Sequence, residues 1–178
     1  MSAVIVASLS IAALSTLADF IWATWLPYHR AVYGFAHGML LFCAVGLVFG
    51  ALAGRPGTGA AAGAAIGAAA AAAYYVFSSL FGYTTMFVVW FAVWMALGFL
   101  YARLSGAMAA TRVVVMRGAM AAAASGLAFY LISDIWRPFD PRGWDYAVHM
   151  AAWTFAYFPG FAALLLARNR GATGAAVR

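Results

Sequence analysis

The sequence predicts an all-α, polytopic integral membrane protein: a compact bundle of six transmembrane helices in three helical hairpins, with both termini cytoplasmic. Three observations predict it. Of the 178 residues, 67% are hydrophobic and only 8% charged, where a soluble domain carries about a quarter charged residues. The apolar residues gather into six runs of roughly 20, the length that crosses ~30 Å of hydrocarbon as a helix. Only helices satisfy their own backbone in lipid at such lengths.

The first run, 3–24, ends where Trp25 to Arg30 carry Pro27. No Lys or Arg precedes it, so it reads as a retained span and not a cleaved leader. The second, 31–53, stops at Gly54 to Gly57 around Pro56. The third, 58–80, is Ala- and Gly-rich and ends at Phe81 to Tyr83; the fourth, 84–104, ends at Ser105 to Arg112. The fifth, 113–134, is followed by Ile135 to Trp144 with Pro138 and Pro141, and the sixth is 145–167. Pro159 lies inside the last span and should kink it. Residues 1–167 thus form a single membrane domain, and 168–178 a short Arg/Gly/Ala tail.

Small residues recur every fourth position: Gly46, Gly50 and Gly54; Gly59, Gly63 and Gly67; Gly118, Ala122 and Gly126. In lipid such stripes let helix backbones approach and pack where hydrophobicity gives no drive. The lone cysteine, Cys43, lies within an apolar run and reads as a small core residue.

Charge sets the orientation. All ten basic residues are Arg, all four acids are Asp, and the formal net charge is +6. Arg55, Arg103, Arg112, Arg117, Arg168, Arg170 and Arg178 fall on one side of the predicted bundle; Arg30, Arg137 and Arg142 fall on the other. The positive-inside rule makes the first side cytoplasmic, in a bacterial-type inner membrane. The arginines cap apolar runs instead of forming a basic stripe, which argues against a nucleic-acid partner. The expected partners are the bilayer and other membrane subunits or a second copy of the chain.

All the acids (Asp19, Asp134, Asp140, Asp145) and all the histidines (His29, His37, His149) fall on the outer side. Topology rules account for arginines but not for these. At 1.5 Å per residue, Asp19 and His37 lie roughly 7 to 9 Å beneath the interface and His149 roughly 6 Å. Ionisable groups at that depth are costly unless they face each other, water or the bundle interior, and they mark a site by default. The outer ends of the first and third hairpins share Asp, Ile-Trp, Pro and Arg-x6-His, seen as Asp19 to His37 and as Asp134 to His149. That pattern suits an internal duplication presenting two equivalent sets to one cavity.

The candidate ligand-binding residues are therefore Asp19, Arg30, His37, Asp134, Arg142 and His149. Arg and His seven apart share a helix face and suit an anionic head group. His37, His149, Asp19 and Asp134 would equally suit a divalent metal ion, the one cofactor these donors indicate. Bland roles stand beside these: Asp19 or Asp134 locking hairpins through an arginine, His37 bonding a carbonyl, His149 pairing with Asp145 four residues earlier. HExxH, CxxC, GxSxG and Walker sequences are absent. Three functions follow: a binding or transport module with a polar outward pocket for a small solute or cation; a His/Asp enzyme acting on lipid or isoprenoid head groups; or an accessory subunit of a larger complex.

Overall fold

A computed structural model describes the backbone of residues 1–25, 30–82, 84–106, 111–135 and 142–166, and their side chains except at 22–25, 30–31, 111 and 129–135. It is all-helical: α1 (Ser2–Trp25), α2 (Arg30–Leu52), α3 (Pro56–Phe81), α4 (Thr84–Leu104), α5 (Thr111–Ile135) and α6 (Asp145–Leu165). Five of these, α1 to α4 and α6, are long and apolar enough to cross a membrane. Each helix begins and ends close to where the turn residues place it. Pro56 opens α3 at its first turn, where its missing N–H costs nothing. Gly54, Gly82, Gly106 and Gly143 take positive φ angles at the chain reversals, a conformation glycine adopts freely. The α6 helix runs through Pro159.

Helix pairing departs from three sequential hairpins. The most extensive contact is α2 on α3, followed by α4 on α5, α1 on α6, α5 on α6 and α3 on α4, whereas α1 meets α2 only sparsely. The helices thus form a ring with one loose seam, between α1 and α2. The expected first hairpin is consecutive in sequence but barely packed.

Glycine explains the tightest pair. A Cβ built on Gly46 would lie 2.8 Å from the Gly63 Cα, and one on Gly59 2.7 Å from the Gly50 Cα. These glycines occupy the α2–α3 contact itself, backbone against backbone. Gly54 does not belong to the stripe: nothing lies within 4 Å of it, and it serves the turn. Gly38 takes its place at the other end, facing the Gly67 carbonyl. On α5 the expected stripe packs on α4, with the Gly118 Cα 3.1 Å from a Cβ built on Gly98.

Inside the ring, aromatic side chains stack into a column. Trp153 stacks on Tyr157 at 5.9 Å, Tyr157 meets Trp90 at 5.5 Å, Trp94 meets Phe161 at 5.7 Å, and Phe161 meets Phe49 at 5.4 Å. Trp94, Tyr157, Phe49 and Phe161 are fully buried. The outer surface stays apolar, with Leu80 71% and Phe155 67% exposed. Such a surface suits acyl chains, which impose no penalty on exposed hydrocarbon.

Candidate functional site

The predicted residues meet in part. On α1, Ser8, Ala12, Ser15 and Asp19 fall on one face and point into the bundle; Ser8, Ala12 and Ser15 are completely buried. On α6 the facing stripe is His149, Trp153 and Tyr157, each four residues from the last. Antiparallel packing of α1 on α6 brings the two stripes into register.

Where the C-terminal end of α1 meets the N-terminal end of α6, Oδ2 of Asp19 lies 3.0 Å from Nδ1 of His149 and accepts a hydrogen bond from Nε1 of Trp153 at 2.7 Å. His149 is buried and the Asp19 side chain is 26% exposed. One helical turn deeper, the Ser15 and Tyr157 hydroxyls lie 3.3 Å apart, and Ser15 also donates to the Ile11 carbonyl at 3.0 Å. Deeper still, Ser125 of α5 donates to the Ala156 carbonyl and accepts from Nε1 of Trp90 at 3.4 Å. Polar atoms are thus threaded down the α1–α6–α5 contact, most of them meeting another, as groups shut away from water tend to, while the buried Ser8 hydroxyl meets none among the described residues.

His37 approaches from α2. Its ring stacks on Tyr33 at 5.7 Å, and the Tyr33 hydroxyl crosses the loose seam to donate to the Ala18 carbonyl, beside Asp19. The Tyr33 and His37 rings thus stand on the α2 side of the seam, with Asp19 on the α1 side. Among the described residues, no hydrogen bond is made by the His37 ring nitrogens.

Two hollows adjoin His37. One, of about 170 Å³, lies between α2, α3 and α4 and is bounded by Gly38, Ala71, Tyr74, Tyr75, Trp90 and Trp153 among others. The second, of about 320 Å³, fills the α1–α2 seam between Leu14, Leu17, Ile21, Leu40 and Tyr33. His37 and Leu41 border both. The walls are mostly hydrocarbon and aromatic ring, and among the described residues His37 alone of the six expected pocket residues borders them.

Comparison with family models, characterised proteins and solved structures finds no match.

Of the six candidates, Asp19 and His149 are in direct contact and His37 stands nearby. Arg142 sits in the exposed stretch before α6, where its backbone N–H donates to Oδ2 of Asp145 at 2.9 Å. That arrangement occupies Asp145 at the helix start, where its charge favours the exposed N–H groups. His149 accordingly pairs with Asp19 and not with the Asp145 of its own helix. The side chains of Arg30 and Asp134 lie outside the described residues, as do His29, Arg137, Asp140 and the tail from 168. Among the described residues, no three His, Cys, Asp or Glu side chains gather closely enough to hold a metal ion. The duplication is not carried into packing: α5 lies firmly on α6, whereas its counterpart α1 barely touches α2.

The sequence reading missed Trp153, Tyr157, Ser15 and Tyr33. A signal for the first three was present. The i, i+4, i+8 stripe on α6 and the polar face of α1 are both visible as helical periodicity. They do not stand out in the sequence because a tryptophan bonded to a carboxylate looks like any buried aromatic until the facing helix is known.

Proposed function

We propose that this chain is an integral membrane binding or carrier module whose ligand site lies in the outer half of the bundle, beside Asp19, His37 and His149. The observation that carries this reading is the position of His37: a half-buried imidazole between two hollows, near a carboxylate fixed by His149 and Trp153. A mostly apolar cavity with a few convergent polar groups is the usual form of a small-molecule site. The composition of the walls favours a ligand with an apolar body and a hydrogen-bonding head over a bare solute or cation.

In this reading α5 also spans the bilayer, the Arg-rich end faces the cytoplasm of a bacterial-type inner membrane, and both termini lie inside. Asp19 and His149 act as the fixed wall, because Oδ2 of Asp19 is held by both Nδ1 of His149 and Nε1 of Trp153. His37 acts as the contact to ligand.

A thermal-shift screen of the purified protein tests this. The panel contains divalent ions, anionic lipid head groups, and isoprenoid alcohols and quinones. At least one member should raise the melting temperature of the wild type but not of His37→Ala. Identical responses of wild type, His37→Ala and Asp19→Asn to every member would overturn the proposal. Stabilisation by a divalent ion, reversed by chelation and dependent on Asp19 and His149, would favour the metal reading instead.

An enzyme acting on lipid or isoprenoid head groups is a second reading, supported by one geometry. A carboxylate bonded to Nδ1 of an imidazole is how a general base is held in orientation. Turnover of such a lipid by wild type, lost in His149→Gln while the melting temperature is kept, would establish it over simple binding.

A further inference from the structure

The two hollows beside His37 differ in chemistry in a way that specifies a ligand. The hollow between α2, α3 and α4 is bordered by the small residues Gly34, Gly38, Gly67 and Ala71 of the α2–α3 contact and by the Trp90 indole of α4. Small residues facing an aromatic plane form a slot, which admits a flat group and disfavours a bulky one. Its volume, about 170 Å³, compares with the ~150 Å³ that accepts one benzene in an engineered apolar cavity. It therefore has room for a single ring. Its lining is almost wholly apolar, and His37 on α2 is the bordering side chain whose ring nitrogens make no hydrogen bond among the described residues.

The seam hollow is larger, about 320 Å³, and is walled by Leu14, Leu17, Ile21 and Leu40. Flexible aliphatic walls suit a flexible aliphatic chain. It lies where the ring of helices is least tightly closed, facing the region that acyl chains fill. His37 and Leu41 belong to both walls, so the aromatic slot and the aliphatic groove meet at those two side chains.

From this juxtaposition we propose that the site takes a membrane-borne molecule made of one flat, carbonyl-bearing ring and a linear hydrocarbon tail, the chemistry of a prenylated quinone. The ring enters the slot between the α2 and α3 glycine face and Trp90, with a ring oxygen accepting from His37. The tail lies along the α1–α2 seam. Aromatic stacking on Trp90 favours the ring over an alkyl alcohol of the same tail, and the His37 hydrogen bond orients it. This inference rests on the binding-module reading and names its ligand class.

The test is a titration of the purified protein in detergent with a benzoquinone carrying a decyl tail. Tryptophan fluorescence and melting temperature are the readouts, because Trp90 and Trp153 border the slot. The wild type should show saturable quenching together with thermal stabilisation. Ala71→Leu, which fills the slot, and His37→Ala should each weaken binding at least tenfold. Leu17→Trp, which fills the groove, should weaken the decyl quinone while leaving tail-less benzoquinone unaffected. Decanol, with tail and no ring, should not compete.

Equal binding by wild type, Ala71→Leu and Leu17→Trp, or full competition by decanol, would refute the proposal. If the quinone fails but a lipid head group or divalent ion stabilises the wild type and not Asp19→Asn, the broader reading survives and this one falls. Folding is checked through the melting temperature of each variant without ligand. Slot and groove variants lie on different helices, so the loss of one leaves the other informative.

Discussion

Asp19→Ala is the perturbation that bears most directly on how the bundle closes. Oδ2 of Asp19 is the acceptor for both His149, at 3.0 Å, and Trp153, at 2.7 Å, so one truncation removes the partner of two groups on α6. A buried donor stripped of its acceptor costs about 1–3 kcal/mol. Hydrogen bonds between membrane helices measured by double-mutant cycles average only ~0.6 kcal/mol, with a maximum near 1.7, because the unfolded state in lipid also finds partners. Two bonds on the membrane scale, plus the desolvation left behind, give a loss of about 2–4 kcal/mol. At 2–4 °C per kcal/mol for a chain of this size, the melting temperature in detergent should fall by roughly 5–15 °C. Asp19→Asn keeps an oxygen for Trp153 and should lose about half as much. The decisive form is a double-mutant cycle of Asp19→Ala with Trp153→Phe, which should show a coupling of about 0.5–2 kcal/mol. A drop of less than ~1 °C for Asp19→Ala, or strict additivity in the cycle, would mean that α1 and α6 are held by apolar packing alone.

Other expected outcomes follow from the same contacts. Gly63→Leu places a branched side chain where a Cβ alone would sit 2.9 Å from the Gly46 Cα; overpacking of this kind costs about 1–3 kcal/mol, and thermal unfolding should show the loss, while Gly57→Leu, at a position with open space around it, should not. Ser125→Ala removes the link from α5 to the Ala156 carbonyl and the acceptor of Trp90; it should cost about 0.6–1.7 kcal/mol, read as a shift in melting temperature. With Cys43 replaced by Ala, a cysteine at Trp144, which is 88% exposed, should react with an impermeant maleimide added outside intact cells. One at exposed Ser105 should react only after the membrane is opened; the reverse pattern would invert the orientation.

The helices were legible because their ends are written in local chemistry. Pro56 opens α3, Gly82 closes it, and the apolar runs between have a length that lipid dictates. The partners of each helix were not legible in that way, since hydropathy says that a residue avoids water without saying which neighbour it meets. Chain order suggested α1 with α2. The glycines decided otherwise, because Gly46, Gly50, Gly59 and Gly63 let α2 and α3 approach more closely than leucine-rich faces allow, while Leu14, Leu17 and Leu40 hold α1 and α2 apart around a hollow. Asp19 and His149, both among the expected site residues, meet across the α1–α6 contact. An arginine was one alternative partner for Asp19; an imidazole and an indole are found, a choice set by the register of α1 on α6.

That register bears on why an acid is kept beneath the membrane surface at all. A structural clasp between α1 and α6 needs no charge; a serine facing Trp153 would give a neutral hydrogen bond without the desolvation that a carboxylate suffers. Ser15 and Tyr157, one turn deeper, form such a neutral contact at 3.3 Å. What distinguishes Asp19 is its position beside the seam, where Tyr33 reaches the Ala18 carbonyl and the ring of His37 stands across the gap. A carboxylate there places a charge across the seam from the imidazole bordering both hollows, which a serine cannot do. Asp19→Ser should therefore separate the two roles: stability retained within about 1–2 kcal/mol of the wild type, and ligand response at His37 diminished. Should both be preserved, the charge has no part in binding and Asp19 is only a clasp.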